Sequence, residues 1–555
     1  TTEIYTLSLH DALPISDISE LDRKKAEHKM MGRMYEVGVL IPKPLEYGIC
    51  GNGKDVYFLS EWINGKDTES VLPMMTETEQ YVLGLKAGEL LHKIHSISAP
   101  DGIDDWQKRY FSVIDERIEA YRSEGISFEG NKIILEYSDC NRSLLLGRPQ
   151  CLLHGDFHEG NLMVSDDGEL YVIDLLDEGF GNHGDPWYDL RTFGENKNVH
   201  FSTGLIRGYF NGEPPQEFWD VLTYYYVTAA ITSIVWMKYH KLDELPETLI
   251  RNEKNARFLQ AGRSPLMECY LPNFYIQYVD SIPYKIKARF DLSFLSKYGK
   301  VFKVFDDQDS GNICFGLEND DCKRYFVKFA GAPTERACVT ADEAIRNLKR
   351  TVPIYKDLMH PNLIRFISSE DIGGGFAMVF EWVDAESMHM MYALSRQKFM
   401  QMTITTKLQV FDDILAFFTH VVQHGYVAID FYDGSIMYDF HAGRTIVCDI
   451  DLFEKSPYTN NMGRMWGSSR FMSSEEFTLG ATIDEITNVY TLGATAFALF
   501  GDERDRCFEK WSLSKEHFSV AKKAVSDERC NRQQSIKQLI DEWRTAKQDT
   551  KYSYD

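Results

Sequence analysis

Two stretches of the chain repeat one pattern: an aspartate, an oxygen-bearing polar residue five positions later, and a second aspartate eighteen or nineteen positions on. The first is "CLLHGDFHEGNLMVSDDGELYVID" (151–174), with Asp156, Asn161 and Asp174. The second is "GYVAIDFYDGSIMYDFHAGRTIVCDID" (425–451), with Asp430, Ser435 and Asp449. Short apolar runs on either side of a polar loop predict strand–loop–strand. The turn "SDDGE" (165–169) then folds the two ends of the first stretch together. Two loops built alike in one chain point to two copies of one architecture.

Size agrees with two copies, because 555 residues exceed what a single core organises. A hydrophobic share of 44% and a charged share of 26% are ordinary for packed domains. The net charge of −24 argues against a nucleic-acid binder, which needs a basic footprint. It fits a cytoplasmic protein that meets nucleotides in locally neutralised pockets. The ten cysteines form no C-x-x-C pair, so neither a zinc site nor a disulfide framework is expected. "YYYVTAAITSIVWMKY" (224–239) is too short for a bilayer span and reads as a buried helix, so no membrane partner is expected.

Along the chain, "ELDRKKAEHKMMGRMYEVG" (20–38) reads as helix, "DVYFLSEWI" (55–63) as strand and Glu77 to His95 as helix. Further helices are expected from about Phe201 to Ala261. Residues 263–285 hold three prolines and no clear period, so a linker is expected there. From 286 to 548 a β-rich run precedes helices, which predicts a small sheet lobe and a larger helical lobe, and 549–555 form a tail.

Phosphoryl transfer needs alignment and charge neutralisation more than covalent chemistry. Asp156 can orient an attacking hydroxyl and accept its proton, while Asn161 and Asp174 supply oxygens for Mg²⁺.

The motif H-G-D-x-H-x-x-N followed by I-D resembles the catalytic loop of the aminoglycoside phosphotransferase and choline kinase family, over about residues 17–262. The resemblance implies a protein-kinase-like α+β fold, ATP and Mg²⁺ as cofactors, and a small hydroxyl-bearing acceptor. It implies Asp156 as catalytic base, Asn161 and Asp174 as metal ligands, and "LSEWING" (59–65, with Glu61 and Trp62) as the hinge binding adenine through its backbone. Glu27 matches the family's helix-C glutamate. "TTEIYTLSLHDALPI" (1–15) resembles a translated sequencing-library adapter, so residues 1–16 are set aside and the first small lobe is expected to be truncated. The phosphate-covering hairpin and its strand cation are then missing, and weak ATP binding through this domain is expected.

The region 286–548 resembles a serine/threonine protein kinase domain, through "RYFVKFAGA", "LMHPNLIRFI", "FAMVFEWVDAESM", "GSSRFMSSEEF" and "TNVYTLGATAFALFG". The resemblance implies Asp430 as base, Ser435 and Asp449 as metal ligands, and Gly311, Lys328 and the hinge Glu381 as nucleotide contacts. Glu343 is the nearest candidate partner for Lys328, and Arg532 is placed to pair with Glu475. The departures are plain. His and Arg are absent before Asp430, Ser435 replaces an asparagine, Asp451 follows Asp449, Asn488 stands in place of an aspartate, and the loop "DDQDSG" is acidic. Asp433 and Asp439 read as turn residues, and His420, His424 and His441 as packing or surface residues.

The expected fold is therefore two tandem protein-kinase-like folds of α+β class. The expected function is ATP- and Mg²⁺-dependent transfer, the first domain to a small molecule and the second to protein Ser or Thr. The alternative is that one or both domains only bind nucleotide or a partner. The acceptor is open. The acidic "LLDEGFGNHGD" (175–185) suits a cationic molecule, or is simply a solvated loop.

Overall fold

A computed structural model describes residues 15–174, 182–195, 198–271, 274–390 and 392–549. The chain divides into two compact units, residues 1–273 and 274–555. Both mix helix and strand, so the architecture is α+β.

The first unit begins with a small antiparallel sheet, ordered Ile15–Asp17, Asp55–Ser60, Pro44–Cys50. Ile15 pairs with Tyr57 and Ser16 with Val56, so the end of the stretch set aside as foreign belongs to this sheet. Residues 1–14 lie outside the described residues. The helix Leu21–Glu36 turns Met30, Met31 and Met34 inward.

The helical part is organised by a close crossing. Helix Glu77–His95 opens with a capping box in which Thr76 and Glu79 satisfy each other's backbone amides. It carries Gly84 and Gly88, and helix Val199–Phe210 carries Gly204 and Gly208. A Cβ at any of the four would fall well inside 3.0 Å of the opposite backbone: Phe201 O for Gly84, Leu205 O for Gly88, Tyr81 O for Gly204 and Leu85 O for Gly208. Only glycine permits that approach. The apolar 224–239 run is two helices rather than one, Gln216–Thr232 and Ile234–His240, broken at Ser233. Tyr224, Tyr225 and Val227 are fully buried. No helix among the described residues is long and apolar enough to cross a membrane.

The second unit begins earlier than the expected boundary. Within the expected linker 263–285, the 3₁₀ turn Pro265–Cys269 buries Leu266 in the first unit, and a hairpin of Tyr275–Val279 with Ile282–Ile286 opens the second. Asp280 and Ser281 take positive φ at its tip. Five-residue strands punctuated by proline gave no visible period. A five-stranded antiparallel sheet follows, ordered Lys300–Phe305, Asn312–Glu318, Arg324–Ala330, Gly375–Glu381, Phe366–Ile372. Helix Ala341–Asp357 packs on it, and helices Ala393–Met400, Ile404–Gln423, Glu485–Phe500, Lys515–Ala524 and Ile536–Asp549 follow.

The two units frame their aspartate loops alike. A three-stranded sheet (Gly65–Asp67, Leu162–Ser165, Leu170–Val172) and a strand pair (Cys151–Leu152 with His183–Gly184) flank the first loop. Glu386–Ser387, Ile436–Asp439 and Arg444–Val447, with Tyr426–Val427 against Glu454–Lys455, flank the second.

Candidate active sites

In the first unit the loop is hung from one buried carboxylate. Asp189, fully buried, accepts the His154 amide (2.6 Å) on one oxygen and the Gly155 amide (2.8 Å) on the other. His95 Nε2 also donates to Asp189 (3.0 Å), and His95 Nδ1 meets the Tyr209 hydroxyl (2.9 Å). Burial works to raise the pKa of Asp189, but the hydrogen bond and charge of His95 outweigh it and hold it below the usual carboxylate range. His154 Nε2 donates to the Ile173 carbonyl (3.0 Å), so Nδ1 accepts the Asp156 amide (3.2 Å) and the ring is neutral. Burial lowers its pKa accordingly.

Asp156 and Asn161 come together. Asn161 Nδ2 donates to the Asp156 carbonyl (2.8 Å) and to Asp156 Oδ2 (3.3 Å). This orientation leaves Asn161 Oδ1 without a protein partner among the described residues. The Ile173 amide donates to the Asn161 carbonyl (3.0 Å), which fixes the position of the next residue, Asp174. Asp174 has φ +54°, a left-handed conformation that is costly for an aspartate and collects at functional sites. Asp156 and Asp174 line one cavity of about 680 Å³. His158 Nε2 lies 3.4 Å from Asp156 Oδ2, and this contact lowers the pKa of Asp156 and raises that of His158.

The donor chemistry fits Mg²⁺. Asp174 offers a carboxylate and Asn161 a free amide oxygen, hard donors for an ion that takes few protein ligands and completes its shell with water or phosphate oxygens. No three His, Cys, Asp or Glu side chains among the described residues cluster to hold a metal by themselves.

Two expectations for this unit change. Glu27 pairs with Lys24 on its own helix (2.8 Å), a local i,i+3 contact, rather than reaching a strand cation. The Glu61 amide donates to the Lys43 carbonyl (2.9 Å), which leaves its carbonyl as the backbone group that could meet adenine. Glu61 and Trp62 are both exposed. Residues 175–181 of the acidic stretch lie outside the described residues.

The second loop follows the same plan with different groups. Asn488 Oδ1 accepts the Ala428 amide (2.8 Å), in the place that Asp189 holds relative to His154. Its Nδ2 is buried without a partner, the mark of an amide standing where two acceptors are wanted. The Cys448 amide donates to the Ser435 carbonyl (3.0 Å), as Ile173 does to Asn161, and Asp449 has φ +55°.

The charge environment is reversed. Asp430 faces carboxylates, and its pKa is pushed up to about 7 by burial, then by Asp449, Asp309, Glu476 and Asp451. Lys328 Nζ sits between Asp449 Oδ1 (3.0 Å) and Asp451 Oδ2 (2.6 Å), and the Tyr355 hydroxyl donates to Asp451 (2.9 Å). Burial alone would lower the pKa of Lys328, but the two carboxylates outweigh it and hold it well above normal.

Several expected contacts fail here. Ser435 is fully buried and its hydroxyl faces the Tyr432 amide (3.5 Å). With Asp449 engaged by Lys328, this donor set does not fit Mg²⁺. Gly311 packs inward against Ala344 and Val339 instead of lining a phosphate-covering loop, since the helix N-terminus sits directly above it. Glu343 is absorbed by the Thr340 capping box and does not pair with Lys328. The Glu381 amide donates to the Arg365 carbonyl (3.0 Å), so only its carbonyl is left for a hinge contact.

Asp433 is no simple turn residue. It is fully buried between Arg396 (2.9 Å) and Arg470 (2.8 Å), which also hold Glu503. The Arg532–Glu475 pair forms as expected, at 2.7 and 3.0 Å. Asp439 caps its turn by accepting the His441 and Ala442 amides. All ten cysteines are free. Sequence reasoning missed Asp189, which stands in "DPWYDL" (185–190). It also missed His95, which lies 94 residues away from Asp189 and gives no local signal.

No curated protein matches the chain. Residues 13–219, which run from the edge of the first sheet through the Asp156 loop to the helices behind it, match the model of the phosphotransferase enzyme family, APH.

Proposed function

We propose that the first unit transfers the terminal phosphoryl group of ATP to a hydroxyl of a small molecule. The observation that carries this reading is that Asp156 and Asp174 line one cavity while Asn161 is hydrogen-bonded to Asp156. Asp156, kept ionised beside His158, orients the acceptor hydroxyl and takes its proton as the oxygen bonds to phosphorus and the bond to the ADP oxygen breaks. Asn161 holds the Asp156 carboxylate in place, and the Asp189 tether fixes the backbone beneath it. Asn161 Oδ1 and Asp174 would hold Mg²⁺, which when bound neutralises phosphate charge.

For the second unit, also read as kinase-like in fold, we favour a scaffold that binds a partner over an enzyme. The specific observation is Lys328, closed between two carboxylates with Asp430 crowded by others. A protein kinase activity would need that lysine on a phosphate.

ATP turnover by the full chain at millimolar MgATP, hydrolysis included, tests both readings. Asp156→Asn should lower kcat by roughly 10²–10⁴-fold. Asp430→Asn should leave it unchanged. The reverse pattern would assign catalysis to the second unit.

A further inference from the structure

In a chain of net charge −24, the cavity beside Asp156 gathers three arginines: Arg23, Arg117 and Arg191. They come from three separate parts of the first unit: helix Leu21–Glu36, helix Trp106–Ser123 and the 3₁₀ stretch Pro186–Glu195. Arg191 is fixed in place. Its Nη2 donates to the Gly155 carbonyl (2.6 Å), and its guanidinium lies 4.1 Å from the centre of the Tyr188 ring. That bond puts a positive charge directly behind the Asp156 loop. Arg117 is exposed and has no hydrogen-bond or ion-pair partner among the described residues. It shares a helix face with Tyr110 and Ile114, at i, i+4 and i+7, all three on the cavity. Facing them, Tyr226 and the half-exposed Trp236 add ring surface.

Guanidiniums recognise carboxylates and phosphates through charge-assisted, paired hydrogen bonds. Among the described residues, an ammonium in the same cavity would meet these arginines, of which Arg23 is paired with Glu20 (3.1 Å), and two carboxylates already assigned to proton transfer and metal binding. We propose that the acceptor of this cavity is an anionic hydroxyl compound, with a carboxylate or phosphate ester held by Arg117 and its neighbours and its apolar surface against the rings. Polyamine acceptors are disfavoured. The inference rests on reading Asp156 as a phosphotransfer site, and it names the acceptor class for that site.

The test is calorimetric titration of the nucleotide-free full chain with three hydroxylated sugars: gluconate, glucose 6-phosphate and glucosamine. At least one anion should bind roughly tenfold or more tightly than glucosamine. Which anion wins distinguishes carboxylate from phosphate recognition. Arg117→Glu should weaken that anion roughly tenfold or more, and Arg117→Lys should retain part of the affinity. Glucosamine binding as tightly as both anions, no anion binding at all, or an unchanged Kd in Arg117→Glu would each overturn the proposal. Binding is read without ATP, so an anion that binds but accepts no phosphoryl group counts against phosphotransfer and not against the acceptor class.

Discussion

Glu475 illustrates how one charge can carry much of a domain's acid tolerance. Burial works to raise its pKa, but two hydrogen bonds and the charge of the fully buried Arg532 hold it at about 2, below its ordinary 4.5. A depressed acid stabilises above its unfolded pKa and loses that contribution as pH falls through the folded one. In urea unfolding at pH 7, Glu475→Gln should therefore cost the second unit about 3 kcal/mol, because it strands a buried guanidinium. The gap to wild type should close between pH 4.5 and pH 2. A gap independent of pH would remove the ion pair from the account. Residues of this kind differ in how legible they are. Asp156, Asn161 and Asp174 could be read because their geometry is set within one hairpin. Ser435, Gly311 and Glu343 could not, because each was claimed by a neighbour that spacing does not reveal: the Tyr432 amide, the roof formed by Ala344, and a helix cap.

At the level of elements, the glycine crossing is the most demanding contact of the first unit. Gly84 and Gly88 meet Gly204 and Gly208 with backbone against backbone, so no side chain can rotate aside to admit a methyl group. Gly88→Ala or Gly208→Ala should destabilise the first unit by roughly 3 kcal/mol, read as a lowered denaturation midpoint. A glycine with open space around it, such as Gly32, makes the control and should tolerate alanine. The helices themselves were legible from period, and the Thr76 box marks where Glu77–His95 begins. Their partnership was not, since two G-x-x-x-G spacings about 120 residues apart say nothing of meeting. The hairpin 275–286 was hidden for another reason. Two five-residue strands are too short for alternation to show through a proline.

Over the whole molecule, the apolar clusters of the described residues each stay within one unit. Calorimetric unfolding should therefore show two transitions. Gly208→Ala should move one and Glu475→Gln the other, whereas a single transition shifted by both would show one cooperative block. The aspartate pattern recurs once in each unit, and a three-stranded sheet and a strand pair flank each loop. The loops differ in what moors them. The His154 and Gly155 amides are tied to an ionised group, Asp189, and the Ala428 amide to a neutral dipole, Asn488. Strong acid can discharge the first mooring and has nothing to discharge in the second, so acidification should cast the Asp156 loop adrift while the Asp430 loop stays fast.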